Sequence, residues 1–350
     1  MLKPQIRKVQ LTGGTTYTIS LPKEWAEQAK IKPQQQVALI PQHDLSLLLI
    51  PKGEVYKNGI KEASIEYRSI VEKDVIVRDF ISYYLAGYDI IRVKFKGPTL
   101  ELKTFFKDSL RKKIVGVEIM EESSEEIVAQ CLPAYAELSL KKVVNRMGII
   151  VSSMHRDAII SLKNKNYALA KDVIERDDEV DRFYHFSVRQ LKMAVVDRTM
   201  IESMGLKSAV ECLGYRIITK SIERMGDHAT RIAKSVLNLK EMPNANSLDQ
   251  TSRISDLATE VYDSSLNALN KLDAKIAHES IIKASYVVKA EEESTQQLLE
   301  SKQSTRTIVE LKLILESLKR IAVYSADISE ITLNMIVATL ARESEHSSTS

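Results

Sequence analysis

Residues 221–233 read SIERMGDHATRIA, and residues 173–183 read VIERDDEVDRF. Glu223 and Asp227 stand four apart in the first stretch, and Asp177 and Asp181 stand four apart in the second. On an α-helix that spacing puts both members of a pair on one face, one turn apart. If two such helices lie antiparallel and adjacent, four carboxylates converge. Anions held so close repel, and a hard or borderline cation removes the conflict. Acids at this spacing also line ordinary solvated faces, and spacing alone does not choose.

The surrounding sequence permits long helices. Seven of the eight prolines and seven of the eleven glycines lie at or before residue 133, and the rest of the chain holds only Pro243, inside the turn-rich EMPNANS. A proline within a helix removes a hydrogen bond and clashes with the preceding turn, so its absence over such a span is informative. Residues 135–242 and 247–340 therefore read as two all-helical halves, joined at Pro243. The polar ARESEHSSTS of 341–350 reads as a disordered tail.

Toward the N-terminus the pattern changes. Arg7–Leu11 alternates, Gly13-Gly14 makes a turn, Tyr17–Leu21 alternates again, and Pro22 opens a short helix, KEWAEQAKI, at its first position. Val37–Ile40 and Leu47–Ile50 form a second hairpin. A domain over 1–53 with strands this short buries too little apolar surface to stand alone, so a homodimer is expected. Residues 60–132 read as a small α/β middle domain. Its strands are Ser64–Arg68, Ile90–Phe95, Ile114–Met120 and Ile127–Leu132, and its helices Asp74–Ala86 and Thr99–Lys113. It carries neither a phosphate-binding glycine loop nor a nucleophile elbow.

Composition narrows the function classes. Hydrophobic residues make up 44% and charged residues 28%, which suits a folded soluble chain and excludes wholesale disorder. The longest apolar run, Leu45–Ile50, falls far short of the ~20 residues a bilayer needs, and no secretory signal opens the chain. A cytoplasmic protein without membrane insertion is expected. Cys131 and Cys212 stand far apart, without the spacing of a disulfide framework or a zinc ribbon. Net charge is +3, but the first 60 residues alone hold eight Lys and Arg against four acids. A basic excess confined to one end points to a polyanion there, although solvated lysines give the same count.

Two resemblances sharpen this reading. The run RKVQLTGGTTYTISLPKEWAEQAKIKPQQQVALI is similar to the AbrB/SpoVT (MazE-like) swapped-hairpin family, through Gly13-Gly14, the TISLPKEW core and Ile31-Lys32-Pro33. That family usually places glycine after the last of these, where this chain has Gln34–Gln36. The resemblance implies a β-barrel interleaved from two chains, with Arg7, Lys8 and Lys23 presented to DNA. Tyr17 and Trp25 are expected in packing rather than on bases.

The segments ERDDEVDRF and IERMGDHATRIA resemble the PhoU family, whose three-helix bundles carry paired acidic motifs. This resemblance implies a metal ion, iron or zinc, at Asp177, Asp181, Glu223 and Asp227. His185 and His228 are expected to stand by without ligating. The second bundle repeats the pattern in degenerate form. KAEEESTQQLL sets Glu291 and Thr295 against the first pair, and LESLKRIAVYSADISEI sets Lys319 and Val323 against the second, so no metal is expected there.

Together the resemblances imply a non-enzymatic, phosphate-responsive transcription regulator of archaeal PhoU-like type. Its partners would be DNA and either a phosphate ABC transporter or a signalling protein. One alternative is an adaptor whose head only dimerises. The other is a carboxylate-bridged metal enzyme, but such enzymes use Glu-x-x-His pairs, and the one such spacing here, Glu343 to His346, falls in the tail.

Overall fold

The structure, a computed structural model, describes residues 3–41, 46–51, 60–68, 71–97, 99–132, 139–196 and 199–347. Two compact units form, residues 1–61 and 62–350. The expected boundaries at residues 53 and 135, Pro98, and the last three tail residues lie outside the described residues.

In the first unit, β1 (Gln10–Thr12) pairs antiparallel with β2 (Thr16–Thr18), with Leu11 opposite Tyr17. Gly13 and Gly14, at φ +65° and +78°, supply the left-handed turn between them. Helix α1 (Lys23–Gln28) follows, with Pro22 at the N-cap rather than at the first helical position. Next, β3 (Val37–Pro41) pairs with β4 (Leu47–Pro51). The first hairpin is shorter than the alternation predicts: Arg7–Val9 and Ile19–Leu21 lie outside its paired strands. Gln34 takes φ +65°, so the turn that the related family builds with glycine is made here by a left-handed glutamine. No described residue of this unit is buried. Val9, Leu11, Ile19, Leu39 and Leu47 are all more than half exposed.

In the second unit, β5 (Glu62–Arg68), α2 (Lys73–Leu85) and β6 (Ile90–Lys96) make a parallel βαβ unit. It is extended by α3 (Leu100–Lys113), β7 (Val117–Glu122) and β8 (Glu126–Cys131) into a sheet of order β5-β6-β8-β7. Strand β7 starts three residues later than its sequence suggests. Ile114 and Val115 are buried in the turn before it, and the Val115 carbonyl accepts a hydrogen bond from the Tyr84 hydroxyl at 3.0 Å.

The helices are α4 (Leu140–Asn164), α5 (Tyr167–Val196), the short α6 (Thr199–Ser203), α7 (Ala209–Asn238), α8 (Ala245–Lys271), α9 (Ala274–Leu299) and α10 (Thr305–Ser347). Helices α4, α5 and α7 form one three-helix bundle, and α8, α9 and α10 the second. The two do not keep separate cores. Helix α10 packs along α7 as well as along its own partners, and one apolar core runs through both bundles. Gly148 of α4 lets α8 approach, since a Cβ there would lie 2.8 Å from Leu266 Cδ1, and the Tyr262 hydroxyl donates to the Gly148 carbonyl at 2.7 Å.

The α/β region is likewise not a detached connector. Helices α2 and α3 pack on α5, and buried Arg189 of α5 donates to the Tyr84 carbonyl and stacks over its ring. Helix α10 also runs through Ser347, where a disordered tail was expected. Ala, Arg and Glu at 341–345 are strong helix formers, so nothing local ends the helix. By length and composition, Thr305–Ala338 could cross a bilayer. Its packing against α7, α8 and α9 accounts for the apolar face.

Candidate functional site

Helices α5 and α7 lie side by side in the first bundle and carry the two acid pairs. Each of the four carboxylates lies within electrostatic reach of at least one other. Asp177 Oδ1 lies 3.5 Å from where a Cβ on Gly226 of α7 would stand, an ordinary van der Waals separation. Burial, with the charges of Asp181 and Asp227, pushes Asp177 up to about 7. Asp181 is pushed up to about 6 by burial, opposed by Lys113 and reinforced by Asp227. Burial and the charge of Asp181 raise Glu223, while Lys220 opposes them. Burial and the charge of Glu223 raise Asp227. Asp177, Asp181 and Glu223 therefore resist ionisation in part because of an acid on the facing helix, and Asp227 because of Glu223 on its own.

Cations answer that charge: Lys234 acts on Asp177 and Asp227, Arg224 on Glu223 and Asp227, and two further lysines lie in contact distance. Lys220 Nζ reaches both Glu223 oxygens at 2.5 Å, and Lys113 Nζ, at the end of α3, lies 4.0 Å from Asp181. Lys220 was legible as a neighbour three positions before Glu223; Lys113 was not, because only tertiary packing brings α3 to α5. Thr230 is a further group that spacing did not reveal. It is 4% exposed, and its hydroxyl sits close enough to Asp177 to lower that carboxyl slightly without completing a hydrogen bond.

Among the described residues, no group of three or more His, Cys, Asp or Glu is drawn close enough to hold an ion. The donor chemistry nevertheless suits a hard or borderline cation: four carboxylates, Glu223 buried, Asp177 and Asp181 half-buried and Asp227 exposed, with the Thr230 hydroxyl beside Asp177.

The two histidines part company. His228 faces away from the acids toward Tyr324 of α10, with 5.8 Å between ring centroids. Burial pushes it down to about 4. His185, one turn beyond Asp181, meets the Lys113 carbonyl through Nδ1 at 3.0 Å.

The corresponding position in the second bundle is filled by ammonium groups. Glu291 is 1% exposed, meets Lys319 Nζ at 3.0 Å, accepts from Thr295 at 2.9 Å and also pairs with Lys312. Burial would raise this carboxyl, but the three hydrogen bonds more than offset it and hold it below the usual range.

In the first unit, Arg7 and Lys8 stand just before β1 and Lys23 opens α1, all exposed. Arg7 Nη2 donates to Gln5 at 2.6 Å, and Lys23 lies 3.8 Å from Glu27. Tyr17, expected in packing, is 77% exposed within a single chain.

Comparisons with known proteins match both ends of this description. The family model for the PhoU domain matches residues 144–236, a span that holds all four acids. The model for "Antidote-toxin recognition MazE, bacterial antitoxin" matches residues 10–57. A phosphate-specific transport system accessory protein PhoU homolog 2 from Thermotoga maritima is 26% identical over 206 residues, 56% of this chain and 83% of that protein. A PhoU homolog from Aquifex aeolicus is 39% identical over 88 residues, 24% of this chain and 40% of its own length. The crystal structure of the phosphate transport system regulatory protein PhoU from Streptococcus pneumoniae covers 55% of this chain and 91% of its own, with 22% identity and a TM-score of 0.48.

Proposed function

This chain is a PhoU-domain protein with an N-terminal MazE-type swapped-hairpin domain, and from that premise we propose that it is a cytoplasmic, phosphate-responsive transcription regulator of phosphate uptake. Relatives named as accessory proteins of phosphate-specific transport support the phosphate link. The output is DNA binding through Arg7, Lys8 and Lys23 of a homodimeric head. The input centre is a metal ion, iron or zinc, held by Asp177, Asp181, Glu223 and Asp227. No chemical turnover is assigned to it. The bundles contact a phosphate transporter or a signalling protein.

One observation supports the metal reading: across the interface of two packed helices Asp227 raises Asp177 and Asp181, Asp181 raises Glu223, and Asp177 reaches about 7. A bound cation supplies the missing positive charge, in competition with Lys113 and Lys220. The dimer reading is supported by a first unit whose described residues include no buried one while its alternating apolar positions stay exposed.

Gel mobility shifts with DNA from upstream of phosphate-transport genes test the output. Retention should weaken steeply with salt, and Arg7→Ala, Lys8→Ala and Lys23→Ala together should lower the salt slope by roughly one per cation removed. Unchanged retention by the triple variant would leave the adaptor reading, in which the head only dimerises.

A further inference from the structure

Strand β5 is one edge of the four-stranded sheet. It pairs with β6 over all seven of its residues, Glu62–Arg68, without a bulge, and among the described residues no strand lies on its other side. Such an edge offers a row of backbone N–H and C=O groups to a further strand. The opposite edge, β7, is guarded against that. Glu118, Glu121 and Glu122 line it with acids, and its register shifts between Ile119 and Glu121. Strand β5 is straight, and its charges are of both signs.

The sequence EASIEYR is complementary to itself when run antiparallel. Full overlap of two β5 strands puts a twofold axis at Ile65, with Glu62 of one copy opposite Arg68 of the other, Ala63 opposite Tyr67 and Ser64 opposite Glu66. Strand alternation keeps each of these pairs on one face. Ala63, Ile65 and Tyr67 share the inner face, where the Tyr67 hydroxyl donates to Asp79 of α2 at 2.7 Å. Ala63 and Tyr67 are buried there, while Ile65, at the centre of the edge, stays partly exposed. On the outer face Glu62 is paired with Arg92 of β6, and Glu66 lies 2.8 Å from Lys96. Arg68 makes no ion pair among the described residues.

We infer that two copies of this chain pair through β5, antiparallel about Ile65, so that their sheets join into one of eight strands. The pairing rests on the homodimeric head proposed above. Strand β4 ends at Pro51 and β5 begins at Glu62, so a head that joins two chains holds their β5 strands at high effective concentration. Seven residues a side bury too little surface to hold two chains unaided. The head supplies association, and β5 fixes how the two helical bodies are related, since α2 and α3 pack on α5.

The test uses the full-length chain. Ile65→Cys places a thiol on the twofold axis, where facing residues of antiparallel strands stand about 4.5–5.5 Å apart between Cα atoms, within disulfide reach. Glu62→Cys is the control, because in this register the two copies of that position lie about 20 Å apart. Cys131 and Cys212 are each 2% exposed and add little background. Under mild oxidation Ile65→Cys should give a disulfide-linked dimer on non-reducing gels, and Glu62→Cys should not. Adding Arg68→Glu to Ile65→Cys should slow the cross-link roughly three- to tenfold, since two like-charge contacts replace two ion pairs, and adding Glu62→Arg as well should restore it. Hydrogen exchange on the wild type reads the same edge without substitutions: every interior β5 amide should exchange slowly, whereas a bare edge exchanges fast at alternate positions. A wild type that is dimeric by sedimentation but has fast alternate β5 amides and no cross-link preference for position 65 would overturn the pairing and leave the head standing. A monomeric wild type would overturn both.

Discussion

At the scale of single residues, the consequential fact is that Asp177 and Asp181 are pushed from an ordinary 3.8 to about 7 and about 6. A carboxyl raised by folding binds its proton more tightly in the native state. The stability it lends is full below its unfolded pKa and is lost as pH rises through the folded value. Without metal, Asp177→Asn should therefore gain stability over the wild type between about pH 4 and about pH 8. About 1–2 kcal/mol is expected once solvent screening is allowed for, read from urea melts at both pH values. A wild-type minus variant difference that does not change with pH would contradict it. His155 and His228 act in the opposite sense. Burial pushes each down from 6.5 to about 4, so both cost stability as pH falls across that interval, which is why the difference between variant and wild type is the clean readout. The acid pairs were legible because helical spacing is a local property. The proximity of Asp177 to Gly226 was not, because it joins two helices and no local pattern announces that.

Elements carry the next level. Strand and helix assignments in residues 62–131 agree with the sequence to within a few positions, because Gly87, Gly97 and the alternation of Ile90–Phe95 are local signals. The register of α3 against α5 was illegible, since the contact joins Lys113 and His185, 72 positions apart. That contact yields a prediction. Lys113→Met keeps the carbonyl that meets His185 and removes the ammonium that pairs with Asp181. Zinc binding should tighten by roughly two- to fivefold, the worth of a partly exposed ion pair, measured by dialysis; weaker binding would contradict it. In the second bundle, Glu291 depends on its lysines. Lys319→Met should destabilise the protein by about 2–3 kcal/mol in thermal or urea melts, somewhat less than the loss of a sole buried partner because Lys312 remains. No change would mean that the ammonium is dispensable there.

For the whole molecule, the sequence divides the chain at Pro243 and at the end of the α/β region, whereas the structure fuses those parts into one unit with a shared helical core. Sequence pattern marks where helices stop but not which faces meet, and α10 meets α7 across the expected divide. The head remains a separate unit whose apolar positions stay exposed within a single chain. Leu11→Asp should shift the protein from dimer to monomer in sedimentation experiments while the melting of the helical unit stays put. A wild type already monomeric at micromolar concentration would remove the basis for a two-chain head.

The most direct measurement is metal content by mass spectrometry on protein purified without added ions, compared with Glu223→Ala plus Asp227→Ala. Stoichiometric iron or zinc in the wild type and its loss in the folded double variant is the predicted result. The same metal content in both would mean that these carboxylates do not hold the ion.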